Sequence, residues 1–167
     1  MRLEALLDGG AVFIDANIFI YHFTGASPSC HGFLARCSSG ALHGITSLPV
    51  LLEVAHRLMV IEAQQRRLVR GANPGQQLAH SPALVKKLQL YEEWTLAIPR
   101  MGVDVEEVAV ADLLASMAIR RQAGLLTLDA LIIAVMKRLR IPNLASADQG
   151  FAGIEGIRLC SPGDLGE

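Results

Sequence analysis

The feature that most constrains the fold is an apolar run, Ala11–Ile14, that passes directly into a carboxylate, Asp15. Consecutive apolar residues that include Val and Ile, with no polar alternation, read as a strand buried on both faces. That is the habit of parallel sheets covered by helices. Asp15 then stands at the strand's C-terminal end, where an ionisable group needs a partner or a purpose, because an unpaired buried charge is costly.

The rest of the chain alternates helices with further strands. Asn17–Phe23 reads as a short helix stopped by Gly25, and Ser27-Pro28 opens a second that runs to about Cys37, with Gly40 beyond it. Leu42–Thr46 is the next strand. Ser47 stands where it can cap a long amphipathic helix with Pro49 in the first turn and Glu53 in the second. The Gly-, Asn-, Pro- and Gln-rich stretch Gly71–Gln77 reads as an exposed loop, and Ser81-Pro82 restarts a helix to about Ala97, which Pro99 ends. Residues 48–97 are thus expected to form a helical hairpin. Val103–Val105 is a short strand; Glu106-Glu107 open a helix that closes at Arg120, Arg121 and Gly124. Thr127 is placed to cap a helix through Leu139, with Asp129 in its first turn, and Asn143–Ala145 and Ile157–Leu159 are the last strands, with the turn Asp148–Gly150 between them. The order predicts an α/β fold, a three-layer α/β/α arrangement around a largely parallel sheet, with 1–167 as one domain.

Composition narrows the function classes. Apolar residues are 51% and aromatics 5%, so the core is expected to be Leu, Val, Ile and Ala, and disorder is excluded. The apolar runs are far shorter than a membrane span, and Met1–Asp8 carries charge where a secretion signal is apolar, so a cytoplasmic protein is expected. Cys30, Cys37 and Cys160 are read as reduced thiols; Cys30, His31 and Cys37 match no zinc spacing. A net charge of −1 says nothing about nucleic acid, since a phosphate-binding footprint is local. Candidate contacts are Arg57, Arg66, Arg67, Arg70, Lys86, Lys87, Arg120, Arg121, Lys137, Arg138 and Arg140. Those at the ends of the Glu53 and Asp129 helices lie about three turns from the carboxylates, so they suit flanking nucleic acid or simply complement the helix dipoles. No histidine is assigned a role, although His56 is one turn from Glu53.

Four carboxylates fall at matching places: Asp15 and Asp148 just after strands, Glu53 and Asp129 early in helices. In a parallel sheet these ends share one face. Like charges gathered there raise one another's pKa, and the natural counterion is a hard divalent cation, Mg²⁺ or Mn²⁺, with phosphodiester hydrolysis as the implied reaction. Each has an ordinary alternative: Asp129 can serve the helix dipole, Asp148 a turn, and Glu53 an ion pair with Arg57.

The stretches Phe13-Ile14-Asp15-Ala16-Asn17, Thr46-Ser47 with Glu53-Val54, Leu128–Ala134 and Ser146–Phe151 resemble, in order and context, the motifs of PIN-domain nucleases, in particular the VapC-like toxins of toxin–antitoxin pairs. The resemblance spans Val12 to Leu159. It implies that Asp15, Glu53, Asp129 and Asp148 bind Mg²⁺ or Mn²⁺ and catalyse RNA cleavage, with Asn17, Thr46 and Ser146 as polar supports. It also implies an RNA substrate, a small antitoxin laid over the acidic groove, and a homodimer. Ala16 replaces a common hydroxyl residue, and Gln149-Gly150-Phe151 replaces a more acidic run, so a fifth carboxylate ligand is not expected. The segment 64–97 is longer than in compact members. A haloacid-dehalogenase-like phosphatase is disfavoured because Asn17 stands where its second Asp belongs, and a dinucleotide site because Asp15–Ile20 lacks glycine. A PIN-like module that binds without cutting, and a stand-alone RNA-processing nuclease, are the alternatives.

Overall fold

A computed structural model describes residues 1–165; the last two residues of the expected 1–167 domain lie outside the described residues. The strands are β1 (Ala11–Ile14), β2 (His43–Ser47), β3 (Val103–Glu106), β4 (Asn143–Ala145) and β5 (Arg158–Cys160). They form one sheet in the order β3-β2-β1-β4-β5, with every pair parallel. Helices flank it in the three-layer α/β/α arrangement: α1 (Ala16–Thr24), α2 (Pro28–Ser38), α3 (Leu48–Gln65), α4 (Pro74–Ala79), α5 (Pro82–Val85), α6 (Leu90–Ala97), α7 (Val110–Ala123) and α8 (Thr127–Leu139). No helix among the described residues is long and apolar enough to cross a membrane.

The strand order carries the functional geometry. From β1 the chain builds outward through β2 and β3, then returns to add β4 on the other side of β1. The direction of winding therefore reverses between β1 and β4. Such a reversal, at the C-terminal ends of neighbouring parallel strands, is the usual ligand position in sheets of this kind. Val12, Phe13 and Ile14 are fully buried, as the unbroken apolar run requires, and pack in a core with Leu34, Leu58, Ile132 and Leu144. Gly102, at φ +72, closes the turn into β3 against the Cys37 carbonyl, where any side chain would collide. All three cysteines are free and buried.

Several sequence expectations change in detail. β5 begins one residue later than expected, at Arg158, and Glu106 belongs to β3 rather than to a helix start. Helix α7 instead begins at Val110, and its first-turn acid is Asp112, whose carboxylate accepts the Ala109 N–H at 2.9 Å. Thr127 is not a cap: it is the first residue of α8, and Leu126 holds the cap position. Ser47 precedes α3, but its side chain makes no capping bond.

The largest difference is in 66–97. The stretch expected as an open loop contains α4, and the single helix expected from Ser81 to Ala97 is broken into α5 and α6. A second small core explains both: Ala63, Val69, Leu78 and Leu88 are buried together, and Leu88 reaches it only if the helix breaks. The Glu62 carboxylate, 2% exposed, fixes the break. It accepts N–H groups from Gln89 at 3.3 Å and Tyr91 at 3.1 Å, and pairs with Arg66 at 3.0 Å. A buried carboxylate so placed supplies the acceptors that the start of α6 lacks. Glu62→Ala should therefore destabilise this subdomain by on the order of 2 kcal/mol. Hydrogen exchange should show faster opening confined to 66–91, with β1 and β4 unchanged.

Candidate metal centre

Asp15 stands at the end of β1 and serves as the N-cap of α1, its N–H still in the sheet ladder with the Ala145 carbonyl at 3.0 Å. Because Ile14 is in register with Ala145, the next residues, Asp15 and Ser146, face each other at the C-terminal edge of the sheet. Ser146 Oγ donates to Asp15 Oδ2 at 2.6 Å. Asn17 Nδ2 donates to the same Oδ2 at 2.6 Å and to Ser146 Oγ at 3.0 Å, and the Ala16 N–H bonds Oδ1 at 2.7 Å. Asn17 Oδ1 accepts the Ala147 N–H at 3.0 Å, and Ser146 Oγ accepts that of Asp148 at 3.0 Å. Both β-strand ends are thereby tied into one polar network. Thr46 Oγ1 donates to the Ile14 carbonyl at 3.0 Å, so it holds the end of β1 from the β2 side and does not touch a carboxylate.

The other acids arrive from three different elements. Glu53, in the second turn of α3, is partly exposed, with Arg57 3.7 Å from its Oε1; the alternative ion pair is thus present but loose. Asp129 lies in the first turn of α8, where the helix dipole also favours its charge. Asp148 is exposed and turns its Oδ1 onto the Gly150 N–H at 2.7 Å, the turn role read from sequence. His56 is exposed and outside this network.

The acids nevertheless feel one another. Burial pushes the Asp15 carboxyl up from 3.8 to about 6; the Ser146 and Ala16 bonds oppose this, and the Glu53 and Asp129 charges add to the rise. Asp129 is raised by burial, then by the charges of Asp148 and Glu53, with the nearby Leu126 backbone opposing. Like charges are thus gathered at one rim, offset among the described residues only by the loose Arg57 contact at Glu53. Among the described residues no three His, Cys, Asp or Glu side chains stand close enough to cage a metal. The donor set, all carboxylate oxygen and loosely spaced, suits a hard divalent cation that keeps several waters, as Mg²⁺ does, rather than a closed protein cage.

Some polar positions carry the site without belonging to it. Arg138, an expected nucleic-acid contact, is engaged internally: its Nε meets Asp112 at 2.8 Å, its Nη2 the Glu107 carbonyl at 2.9 Å, and Glu106 lies 3.6 Å away. These contacts lock α8, and so Asp129, to α7 and β3. Arg66 is engaged likewise by Glu62. Asp112 was not among the residues read from the sequence, and an acid in a first turn gave no hint of burial.

The raised Asp15 carboxyl links pH to stability. Since the folded state holds this proton more tightly than the unfolded chain, the contribution is present below about pH 4 and lost as pH rises through about 6. In chelator, the protein should lose on the order of 2 kcal/mol between about pH 4 and about pH 7.5, read from thermal or denaturant melts. Asp15→Asn should flatten that dependence, and added Mg²⁺ or Mn²⁺ should raise Tm at the higher pH and little at the lower.

The family model of the PIN domain matches residues 12–157. No curated protein matches the chain. Among solved structures, a toxin–antitoxin complex from Klebsiella pneumoniae is similar with a TM-score of 0.54 and 19% identity, covering 88% of this chain and 95% of the other. At that identity the likeness concerns the fold. PIN domains are typically metal-dependent nucleases that use divalent ions. With a match over residues 12–157 and the five-stranded parallel sheet its members share, this chain belongs to the PIN domain family.

Proposed function

We propose that the protein is a Mg²⁺- or Mn²⁺-dependent endoribonuclease, and the toxin of a cytoplasmic toxin–antitoxin pair, with the whole of 1–167 acting as one nuclease domain. The observation that carries the reading is Asp15: a buried carboxylate, oriented by three donors, whose charged form is disfavoured by burial and by the Glu53 and Asp129 charges. Such a group is at odds with its surroundings until a cation arrives. Asp15, Glu53, Asp129 and Asp148 would hold the ion. Bound there, a divalent cation would neutralise charge on a phosphodiester and acidify a coordinated water. Ser146 and Asn17 fix the orientation of Asp15, and Thr46 fixes the strand end beneath it. Resemblance of the fold to a protein solved as a toxin–antitoxin complex supports the antitoxin partner.

Cutting of RNA by purified protein with Mg²⁺ or Mn²⁺, abolished by chelator, is the direct test. Ser146→Ala should cost about 10- to 100-fold, the usual loss for an outer partner of a metal ligand, and Asp15→Asn should cost more. Undiminished cutting by Asp15→Asn would remove these residues from the mechanism. RNA binding without cutting would favour the non-catalytic module.

The homodimer belongs to the same proposal, and α7 supports it. Val110, Leu113, Leu114 and Met117 follow the spacing of one helix face, yet are 73%, 40%, 61% and 44% exposed, while Asp112 and Ser116 on the opposite face are buried. An apolar stripe of this kind turned to solvent marks an association surface. A Leu114→Lys, Met117→Lys double variant should sediment as a monomer while keeping its helical circular dichroism; a wild-type monomer at tens of micromolar would refute the assignment.

A further inference from the structure

Residues 63–91 contain five of the fifteen Lys and Arg residues, Arg66, Arg67, Arg70, Lys86 and Lys87, and none of the sixteen Asp and Glu residues. The remainder of the chain is correspondingly acidic. This charge separation is mounted on a folded knob rather than a loose loop, because α4, α5 and the start of α6 close over the small core of Ala63, Val69, Leu78 and Leu88. All five cationic residues are exposed, and among the described residues only Arg66 has an acidic partner, the buried Glu62. Arg66 also donates to the Lys87 carbonyl at 2.5 Å, which draws the Arg66–Arg70 turn and the Lys86-Lys87 turn together into one patch.

From this geometry we infer that the knob is a second nucleic-acid contact, a sequence-independent clamp for the phosphate backbone of single-stranded RNA, remote from the carboxylate rim. The inference rests on the ribonuclease reading for the identity of the polyanion. Helix α3 sets the separation: Glu53 and the Arg66 cap are 13 residues apart, about 20 Å at the helical rise. At a stacked-strand spacing of about 3.4 Å per phosphate, that is about six phosphates from the cut. The arrangement answers a physical difficulty of the rim, where four acids repel the very backbone to be cut. Attraction has to come from elsewhere on the molecule.

The surface chemistry distinguishes RNA from an acidic protein. Within 63–91 Leu90, at 37%, is the one large hydrophobic side chain exposed; otherwise the knob shows cations and the amides of Gln64, Gln65, Asn73 and Gln76. Protein interfaces have an apolar centre, whereas nucleic-acid interfaces are polar and strongly positive.

The test compares the full-length protein with an Arg70→Gln, Lys86→Gln, Lys87→Gln variant, none of which bears on the carboxylate network. Binding of fluorescent oligouridylates of about 4 and about 24 nucleotides is titrated against salt in chelator, so that cutting plays no part. For the long probe, the slope of log affinity against log salt should fall by about 2 in the variant, at about 0.7 per neutralised charge, a change of roughly twenty-fold between about 50 and 200 mM salt. The short probe, too short to span rim and knob, should bind the parent protein more weakly than the long one. Equal slopes for the two proteins, or no binding of the long probe, overturn the inference. Knob-dependent binding of polyglutamate without binding of oligouridylate also overturns it, in favour of a protein partner. A protein that binds through the knob but cuts no RNA keeps the clamp and loses the ribonuclease reading; one that cuts with an unaltered slope does the reverse.

Discussion

The pairing of β1 with β4 is the constraint on which the site depends. It is a short ladder, Phe13 with Leu144 and Ile14 with Ala145, yet it joins segments about 130 residues apart and sets Asp15 opposite Ser146. The 2.6 Å bond between them, with Asn17 bridging to Ala147, ties the two loops together at one edge of the sheet. Parallel pairing demands long crossovers, and these crossovers are what deliver α3, with Glu53 in its second turn, and α8, with Asp129 in its first, to the same rim.

Holding four acids near one another has a cost that the rest of the structure absorbs. Burial and mutual repulsion push Asp15 and Asp129 upward, while backbone and hydroxyl donors oppose them. Rigidity comes from ion pairs set back from the rim. Arg138 ties α8 to Asp112 and to the loop after β3, so Asp129 cannot retreat from its neighbours without breaking a partly buried charge network. Glu62 performs the corresponding task at the other end of α3, organising the knob rather than the rim.

Charge and apolarity are distributed unevenly, and each asymmetry has a spatial meaning. Five cations and no acid lie in the 63–91 knob, Asp15, Glu53, Asp129 and Asp148 lie along the rim, and exposed apolar residues line one face of α7. A helix whose buried face holds Asp112 and Ser116 while its solvent face holds Val110, Leu113, Leu114 and Met117 reverses the usual amphipathic arrangement. The buried Asp112 in this reversed arrangement is satisfied by Arg138 and the Ala109 N–H.

Local sequence was sufficient for the strands and for the longer helices, because apolar runs, Pro and Gly act within a few residues. It also placed Asp15, Glu53, Asp129 and Asp148 at element ends, and the likeness of their motifs to PIN domains named the family. Tertiary contact decided the rest. The helix from Ser81 to Ala97 breaks because Leu88 has a core to enter and Glu62 has N–H groups to accept, neither of which is visible in the segment itself. Thr127 loses its expected capping role because α8 already begins at it, and Arg138, still exposed, is also a brace because packing brings Asp112 and Glu107 to it. Sequence alone determined which residues could carry charge to the rim; only the reversal of strand order between β1 and β4 brought them within reach of one another.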